Sequence, residues 1–263
     1  MIKKQKTRTI SVCLSPAMLP FYVLEDSIAV VIDIFRASSS ICYGIHNGAS
    51  AIIPVSTIEE CQSFKDKGYL LAAERNGAVV EGFDFGNSPF SYTAEKVQGK
   101  TIVLTTTNGT HSIQLSKNAK KVIIGSFLNL SAICNWLTEQ NESIVLVCAG
   151  WKENFSLEDA LYAGAVVEKL QDHFSIYDDG AIASLDLYQY AKADLPRYLK
   201  KSSHSERLKK LHIEKDIAFC LKFDILNTIP VLKDGKLIKL DQSNTKPAEV
   251  EDFPSELVKS KID

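Results

Sequence analysis

Acidic and basic side chains follow several apolar segments of this sequence, at points where strands are expected to end. Asp33 and Arg36 come directly after the apolar run 28–32. A carboxylate can hold a cation and a guanidinium can hold an oxyanion, so this pair suits a metal ion together with an anionic substrate. The alternative is an ion pair that only orders the turn, because structural ion pairs are common.

A second group of polar residues lies in the glycine-rich stretch 74–91. Glu74 and Arg75 repeat the pairing of an acid with a guanidinium at a strand end. Further along the same loop come Asp84, Asn87 and Ser88. A loop of this length inside a compact domain is usually functional or disordered, and its aromatic residues argue against disorder. We therefore expect the loop to contribute to a site.

Three carboxylates of these segments are candidate metal ligands. Two or three oxygen ligands from Asp33, Glu74 and Asp84 would suit Mg²⁺, which prefers oxygen and keeps waters that a substrate phosphate can displace. No His/Cys cluster favours zinc. For each carboxylate taken alone, a solvated or ion-paired role stays equally open.

A third candidate site is a polar run between an apolar strand and a helix. It contains Thr106, Thr107, Asn108, Gly109 and Thr110. Hydroxyls and backbone N–H groups at a helix start suit phosphate or sulfonate. The alternative is a Thr-rich strand end followed by an Asn-Gly turn. The run is not a P-loop, because no lysine follows the glycine.

Glu158 is a weaker candidate for binding an anionic substrate. It lies in the first turn of a predicted helix whose cap is Ser156, where an acidic side chain also complements the helix dipole. Each of the five histidines is isolated in the sequence, so none is preferred as a catalytic residue. The stretch 192–210 holds seven Lys/Arg and two acidic residues. We interpret that stretch as a solvated helix face, because its basic residues are not interleaved with aromatic residues that stack on bases and the overall charge is slightly negative.

Strands and helices must alternate to position these residues. Predicted strands cover 9–15, 28–32, 51–55, 69–73, 101–105, 121–125 and 143–148, and predicted helices cover 37–47, 57–67, 110–118, 129–139 and 157–170. This alternation predicts a three-layer α/β/α fold with a largely parallel or mixed sheet. The site would then lie at the carboxyl ends of the strands.

The chain changes character after residue 177. Helices are expected over 181–199, 205–211 and 215–221, and Asp234-Gly235 between apolar runs predicts a hairpin. We therefore divide the chain into an α/β core of residues 1–177 that carries the site and a helical and hairpin region of residues 178–263. That region could be part of the same domain, and its polar end from residue 242 is expected on the surface.

The charge and composition of the chain limit the classes of partner that we expect. The net charge is −2, and no apolar run approaches the length of a membrane span, so we expect neither nucleic acid nor membrane as a partner. Six scattered cysteines without a C-x-x-C pair indicate buried thiols in a reducing, cytoplasmic setting. A small anionic metabolite is the expected ligand.

Seven ordered motifs resemble one family. They are Val31-Ile-Asp-Ile-Phe-Arg-Ala-Ser-Ser, Ala73-Glu-Arg-Asn-Gly, Gly82-Phe-Asp-Phe-Gly-Asn-Ser-Pro, Leu104-Thr-Thr-Thr-Asn-Gly-Thr, Gly125-Ser-Phe-Leu-Asn, Cys148-Ala-Gly and Phe155-Ser-Leu-Glu-Asp, with Asp216-Ile-Ala-Phe-Cys further on. Together they resemble the 2-phosphosulfolactate phosphatase family over nearly the whole chain.

The resemblance implies a Mg²⁺-dependent phosphohydrolase of coenzyme M biosynthesis. It would convert 2-phospho-3-sulfolactate, or a related phosphorylated sulfonate or carboxylate, to the alcohol and phosphate. Departures from the family pattern are Phe35, Ala73, Phe85 and His111. The family usually has Arg at the position of His111, so binding of the sulfonate or carboxylate could be weaker here.

These observations lead to a mechanism in which Asp33, Glu74 and Asp84 hold Mg²⁺. Arg36 and Arg75 would clamp the anionic groups, and residues 106–110 would donate N–H and hydroxyl groups. Direct attack by water and an aspartyl-phosphate on Asp33 both stay open. The alternative function is a non-catalytic protein that binds phosphorylated or sulfonated metabolites, and either protein could act as a homodimer.

Overall fold

The computed structural model describes residues 8–75, 77–209, 211 and 213–241. Asn76 of the Glu-Arg-Asn-Gly motif lies outside the described residues, as does the segment 242–263 that we expected on the surface. The strands are β1 Thr9–Cys13, β2 Ser27–Ile32, β3 Ala51–Pro54, β4 Leu70–Arg75, β5 Ala78–Val79, β6 Thr101–Thr105, β7 Lys121–Gly125, β8 Ser143–Cys148, β9 Ser175–Ile176, β10 Pro230–Lys233 and β11 Lys236–Lys239.

Helices connect most of these strands. They are α1 Ala37–His46, α2 Ile58–Gln62, α3 Ala94–Val97, α4 Gly109–Leu115, α5 Leu130–Thr138, α6 Leu157–Leu170, α7 Asp179–Ala191, α8 Leu195–Leu199, α9 Ser203–Lys209 and α10 Glu214–Cys220. Two predicted helices are shorter than expected. Turns replace the predicted end of α2, and a 3-10 turn at Lys192–Asp194 separates α7 from α8.

The strands form one mixed sheet, in the order β5-β4-β6-β3-β11-β10-β7-β2-β8-β1-β9. Neighbours pair in parallel within β4-β6-β3 and within β7-β2-β8-β1-β9. The predicted α/β fold with a largely parallel or mixed sheet is confirmed.

The predicted hairpin lies in the middle of this sheet. Strands β10 and β11 pair antiparallel with each other, and they join β7 to β3 through the bridges Val231–Ile123 and Leu237–Ile52. Asp234 and Gly235 both have positive φ, as the tight turn predicted from their types requires. A piece of the 178–263 region therefore completes the sheet of the 1–177 region.

Both faces of the sheet are covered by helices, as the unbroken apolar run in β2 predicts. Ile28, Val30 and Ile32 belong to a core shared with α5 and α6. Ala29 and Val31 belong to a second core shared with α1. All six residues of β2 are buried. No helix in the described ranges is long and apolar enough to cross a membrane.

The sheet must curve strongly. Five steps separate β6 from β2 in the strand order, about 24 Å in a flat sheet. Nevertheless, a Cβ on Gly109, four residues beyond β6, would lie only 2.7 Å from Oδ2 of Asp33, which follows β2. Helix α1 packs against the middle strands β3, β7, β10 and β11. The curvature around α1 brings distant strand ends together.

Candidate active site

A cavity of about 260 Å³ lies where these strand ends meet. It is lined by Asp33, Phe35, Arg36, Glu74, Gly77, Asn87, Thr106, Thr107, Asn108, Trp151, His204, Arg207, Leu208 and Leu211. Three follow β2, three follow β6, Glu74 lies near the end of β4 with Gly77 and Asn87 in the segments after it, and Trp151 follows β8. The last four come from α9 and the residues after it. Acidic, basic and hydroxyl-bearing side chains from separate segments therefore share one pocket.

Asp33 is buried at the centre of this arrangement. Its backbone N–H donates to Oγ of Ser38 over 2.8 Å, which fixes the turn between β2 and α1. Burial raises the pKa of Asp33 to about 7; the positive charge of His204 opposes that rise, and the negative charge of Glu74 adds to it. The site thus holds a carboxyl group whose ionisation a nearby cation would favour.

Glu74 and Asn87 are held next to each other by their own loop. One oxygen of Glu74 accepts the N–H of Gly77, and Nδ2 of Asn87 lies 3.4 Å from the other oxygen. Ser40 Oγ donates to the carbonyl of Asn87 over 2.5 Å and so ties the loop to α1. Oδ1 of Asn87 is buried and has no hydrogen-bond partner among the described residues.

Arg36 lines the pocket, but its guanidinium already has partners. Nη1 lies 2.6 Å from a carboxylate oxygen of Asp216, and Nη2 donates to the carbonyl of Gly77 over 2.8 Å. Ser88 donates to the other oxygen of Asp216 over 3.0 Å. Ser88 therefore supports the partner of Arg36 and does not line the pocket.

Arg75 and Asp84 do not reach the pocket, contrary to the expected clamp and metal set. Arg75 follows Glu74 on one strand and points to the opposite face, where its guanidinium donates to Thr105 Oγ1 over 3.1 Å. Asp84 accepts the N–H of Leu71 over 2.7 Å and so fastens its loop to the start of β4. Asp84 is close to Glu74 in the sequence but not in the pocket, because the loop that carries Asp84 turns back along β4.

Only part of the predicted anion-binding run, residues 106–110, lines the pocket. Thr106, Thr107 and Asn108 line the pocket. Thr106 and Thr110 bond each other through N–H and hydroxyl groups at 3.1 and 3.2 Å. The N–H of Gly109 hydrogen-bonds to Asp33, and its missing Cβ permits this approach. Thr110 and Gly109 therefore shape the loop and leave the contact surface to 106–108.

Glu158 is buried behind the pocket and does not line it. Its Oε1 lies 2.5 Å from Nδ1 of His204. Burial opposes its ionisation, but the hydrogen bond and charge of His204 outweigh burial and lower the pKa of Glu158. The expected direct contact of Glu158 with a substrate is thus replaced by a contact with a pocket histidine.

The sequence interpretation missed His204 and Arg207. Both lie on α9, in the stretch assigned to a solvated face. The ring centroids of His204 and Trp151 are 5.7 Å apart, and the guanidinium carbon of Arg207 lies 4.5 Å from the Trp151 centroid. His204 and Arg207 are three residues apart, which places them on one side of a helix. Nothing in the local sequence indicates that this side of the helix closes a pocket around Asp33, which lies about 170 residues earlier in the chain.

His111 lies outside the pocket. It is half exposed, and its Nε2 is 3.3 Å from a carboxylate oxygen of Glu153. The histidine at this position therefore contributes nothing to the pocket lining.

The oxygen donors that remain suit a magnesium ion. In the described part of the chain, no group of three or more His, Cys, Asp or Glu residues is arranged to hold a metal. Asp33 and Glu74 supply two carboxylates, and Asn87, whose Nδ2 lies beside Glu74, has an unpartnered Oδ1 among the described residues. Mg²⁺ commonly takes one or two carboxylates and completes its shell with water and substrate oxygens. The residues present fit such an ion.

The comparisons with known proteins point to one family. The family model for 2-phosphosulpholactate phosphatase matches residues 13–235. Proteins named "Probable 2-phosphosulfolactate phosphatase" from Thermotoga petrophila and Thermotoga maritima are 46% and 45% identical over 221 residues, covering 84% of this chain and 96% of each relative. One from Caldanaerobacter subterraneus is 42% identical over 217 residues, 81% of this chain and 90% of the relative. The chain therefore belongs to the 2-phosphosulpholactate phosphatase family, whose name denotes a phosphoric monoester hydrolase.

Proposed function

We propose that this protein is a Mg²⁺-dependent phosphatase that hydrolyses 2-phospho-3-sulfolactate, or a closely related 2-phospho acid, to the 2-hydroxy acid and phosphate. One observation carries the proposal: carboxylates, a hydroxyl-rich loop and Arg207, a cation without an acidic partner among the described residues, line the same small cavity. The cavity volume of about 260 Å³ suits a small metabolite better than a large ligand.

Asp33 and Glu74 would hold the metal ion, with Asn87 Oδ1 as a further donor. When bound, Mg²⁺ would stabilise the charge that develops on the phosphoryl oxygens. Burial of Asp33 supports this role, because a desolvated carboxylate gains more from a nearby cation than an exposed one does. Asp84 is not part of the proposed set, since its carboxylate binds the β4 backbone.

Arg207 is the proposed clamp for the sulfonate, one of the two acid groups of the substrate that are not transferred. Its Nε is buried without a hydrogen-bond partner among the described residues, and Trp151 fixes its plane. Arg36 would contribute positive potential and order, because Asp216 compensates its charge and the Gly77 carbonyl takes a second N–H. Thr106–Asn108 would contact the phosphate through hydroxyl and amide groups, as positioning and charge stabilisation dominate phosphoryl transfer.

The six cysteines support a reducing, cytoplasmic setting for this activity. All six are free and buried, as their scattered spacing predicted. Free thiols are usual where glutathione keeps cysteines reduced.

Phosphate release is the direct test. Purified protein is incubated with 2-phospho-3-sulfolactate, 2-phospholactate and 2-phosphoglycerate, each with Mg²⁺ and with EDTA. We expect release in Mg²⁺, loss of release in EDTA and the highest kcat/KM for the sulfonate. Binding of these compounds without release from any of them would overturn the phosphatase proposal and favour a non-catalytic binding protein.

A further inference from the structure

Helix α9 places a histidine in the pocket in a fixed orientation. His204 lines the cavity and is only 12% exposed in its side chain. Its ring contacts both Phe35 and Trp151, with centroid distances of 5.9 and 5.7 Å. These rings restrict the imidazole plane, so the direction of its nitrogens is set by packing before any ligand binds.

Glu158 determines which nitrogen faces the ligand. Its Oε1 lies 2.5 Å from Nδ1 of His204, and the lowered pKa of Glu158 means that this oxygen belongs to a carboxylate. A carboxylate only accepts hydrogen bonds, so Nδ1 carries the donated proton. Nε2 lies on the other edge of the ring and has no hydrogen-bond partner in the described part of the chain. The pair leaves one imidazole nitrogen available to the pocket.

A buried carboxylate holds the histidine from the side away from the cavity. The side chain of Glu158 is 1% exposed and does not line the cavity, whereas the ring of His204 does. If the contact between His204 and Glu158 only fastened α9 to α6, the ring of His204 would not need to line the cavity. The His204–Glu158 pair therefore has the geometry of an acid with its positioning residue.

We propose that His204 is the general acid of the reaction, donating the Nε2 proton to the ester oxygen that leaves phosphorus, with Glu158 as its positioning residue. This inference rests on the proposed phosphatase function. The leaving group from a 2-phospho acid is an alkoxide, which is a poor leaving group unless it is protonated. Among the cavity side chains, Asp33 and Glu74 are assigned to the metal, and the arginines do not release protons.

The step balances without a further reactant. The nucleophile forms a bond to phosphorus, the P–O ester bond breaks, and its electron pair stays on the substrate oxygen. That oxygen takes the proton from His204 and becomes the hydroxyl of the 2-hydroxy acid. Water supplies the oxygen gained by phosphate, and the proton lost by this water restores His204 through solvent.

A sulfur substitution in the substrate tests the role. In the S-bridged phosphorothiolate analogue of 2-phospho-3-sulfolactate, sulfur replaces the ester oxygen, and the thiolate leaves without protonation. We expect His204→Gln to lower kcat about 10²–10⁴-fold on the oxygen ester and less than about tenfold on the sulfur ester. Glu158→Gln should change the ratio of the two rates in the same direction by a smaller factor.

Controls separate this role from a structural one. His173 is exposed, so His173→Gln should match the parent protein on both esters. Thermal melting checks the fold of each variant. Equal losses on the two esters, or no loss from His204→Gln, would overturn the assignment of His204 while leaving the phosphatase function intact. Absence of phosphate release by the parent protein from every 2-phospho acid would instead refute the proposed function.

Discussion

At the scale of single residues, the two arginines of the pocket differ in whether an acidic side chain already compensates their charge. Arg36 is buried and bound to Asp216, so its charge is already compensated by a carboxylate of the protein. Arg207 has no acidic partner in the described ranges and presents its guanidinium against Trp151. A charge-assisted hydrogen bond is worth about 1.5–3 kcal/mol, so Arg207, whose charge no acid in those ranges compensates, is the better source of affinity and specificity.

Replacement of Arg207 should therefore affect the recognition of the sulfonate. We expect Arg207→Gln to lower kcat/KM for 2-phospho-3-sulfolactate by about 10–100-fold, from the loss of one or two charge-assisted bonds, mainly through KM. Steady-state kinetics on 2-phospho-3-sulfolactate and on 2-phospholactate measure the effect, which should be smaller for the latter because a methyl group replaces the sulfomethyl group.

The matched control is Arg197→Gln, at an exposed position of α8. It should leave both substrates unaffected. A parental KM for the sulfonate in Arg207→Gln would remove Arg207 from substrate binding.

At the scale of elements, α6 fastens two strand ends of the site to each other. Asp159 in its first turn is buried and accepts the N–H of Ile34 over 2.9 Å and the N–H of Gly150 over 3.0 Å. The segment after β2, which carries Asp33, is thereby joined to the segment after β8, which carries Trp151. Next to it on α6, Glu158 holds His204 of α9.

Removal of the Asp159 carboxylate should destabilise the fold. Asp159→Ala leaves two buried N–H groups without acceptors, so we expect the free energy of unfolding to fall by about 2–4 kcal/mol. Asp159→Asn keeps one acceptor oxygen and should lose about half as much. Urea denaturation of both variants provides the values, and unchanged midpoints would show that these bonds do not hold the strand ends together.

At the scale of the whole molecule, the sequence predicted the site residues that lie at strand ends. It did not predict the site residues that reach the pocket through the packing of distant segments. Asp33, Glu74 and Thr106 follow apolar strands, and the rule that ligands bind at carboxyl ends placed them correctly. The position of β10 and β11 in the sheet could not be predicted, because no pattern in a hairpin identifies its neighbours. His204 and Arg207 became site residues only through the packing of α9 over the pocket.

The thiols provide a test of the fold as a whole. Burial raises the pKa of Cys13 and Cys61 to about 11 and that of Cys134 and Cys220 to about 12. Cys42 and Cys148 are shifted in the same direction by burial. Because the thiolate is the reactive form, the folded protein should not react with Ellman's reagent at pH 8.

All six thiols should react after unfolding in guanidinium chloride. One or more rapidly reacting thiols in the folded protein would contradict the packing described above.

The most direct test of the central claim is phosphate release from 2-phospho-3-sulfolactate by the parent protein and by Asp33→Asn, each with Mg²⁺ and with EDTA. Loss of the carboxylate should lower turnover by at least about 10²-fold in Mg²⁺. Burial already disfavours ionisation of Asp33, so its amide replacement should leave the melting temperature unchanged or higher. The account predicts Mg²⁺-dependent turnover that Asp33→Asn abolishes in a folded protein; turnover by Asp33→Asn at the parental rate would contradict it.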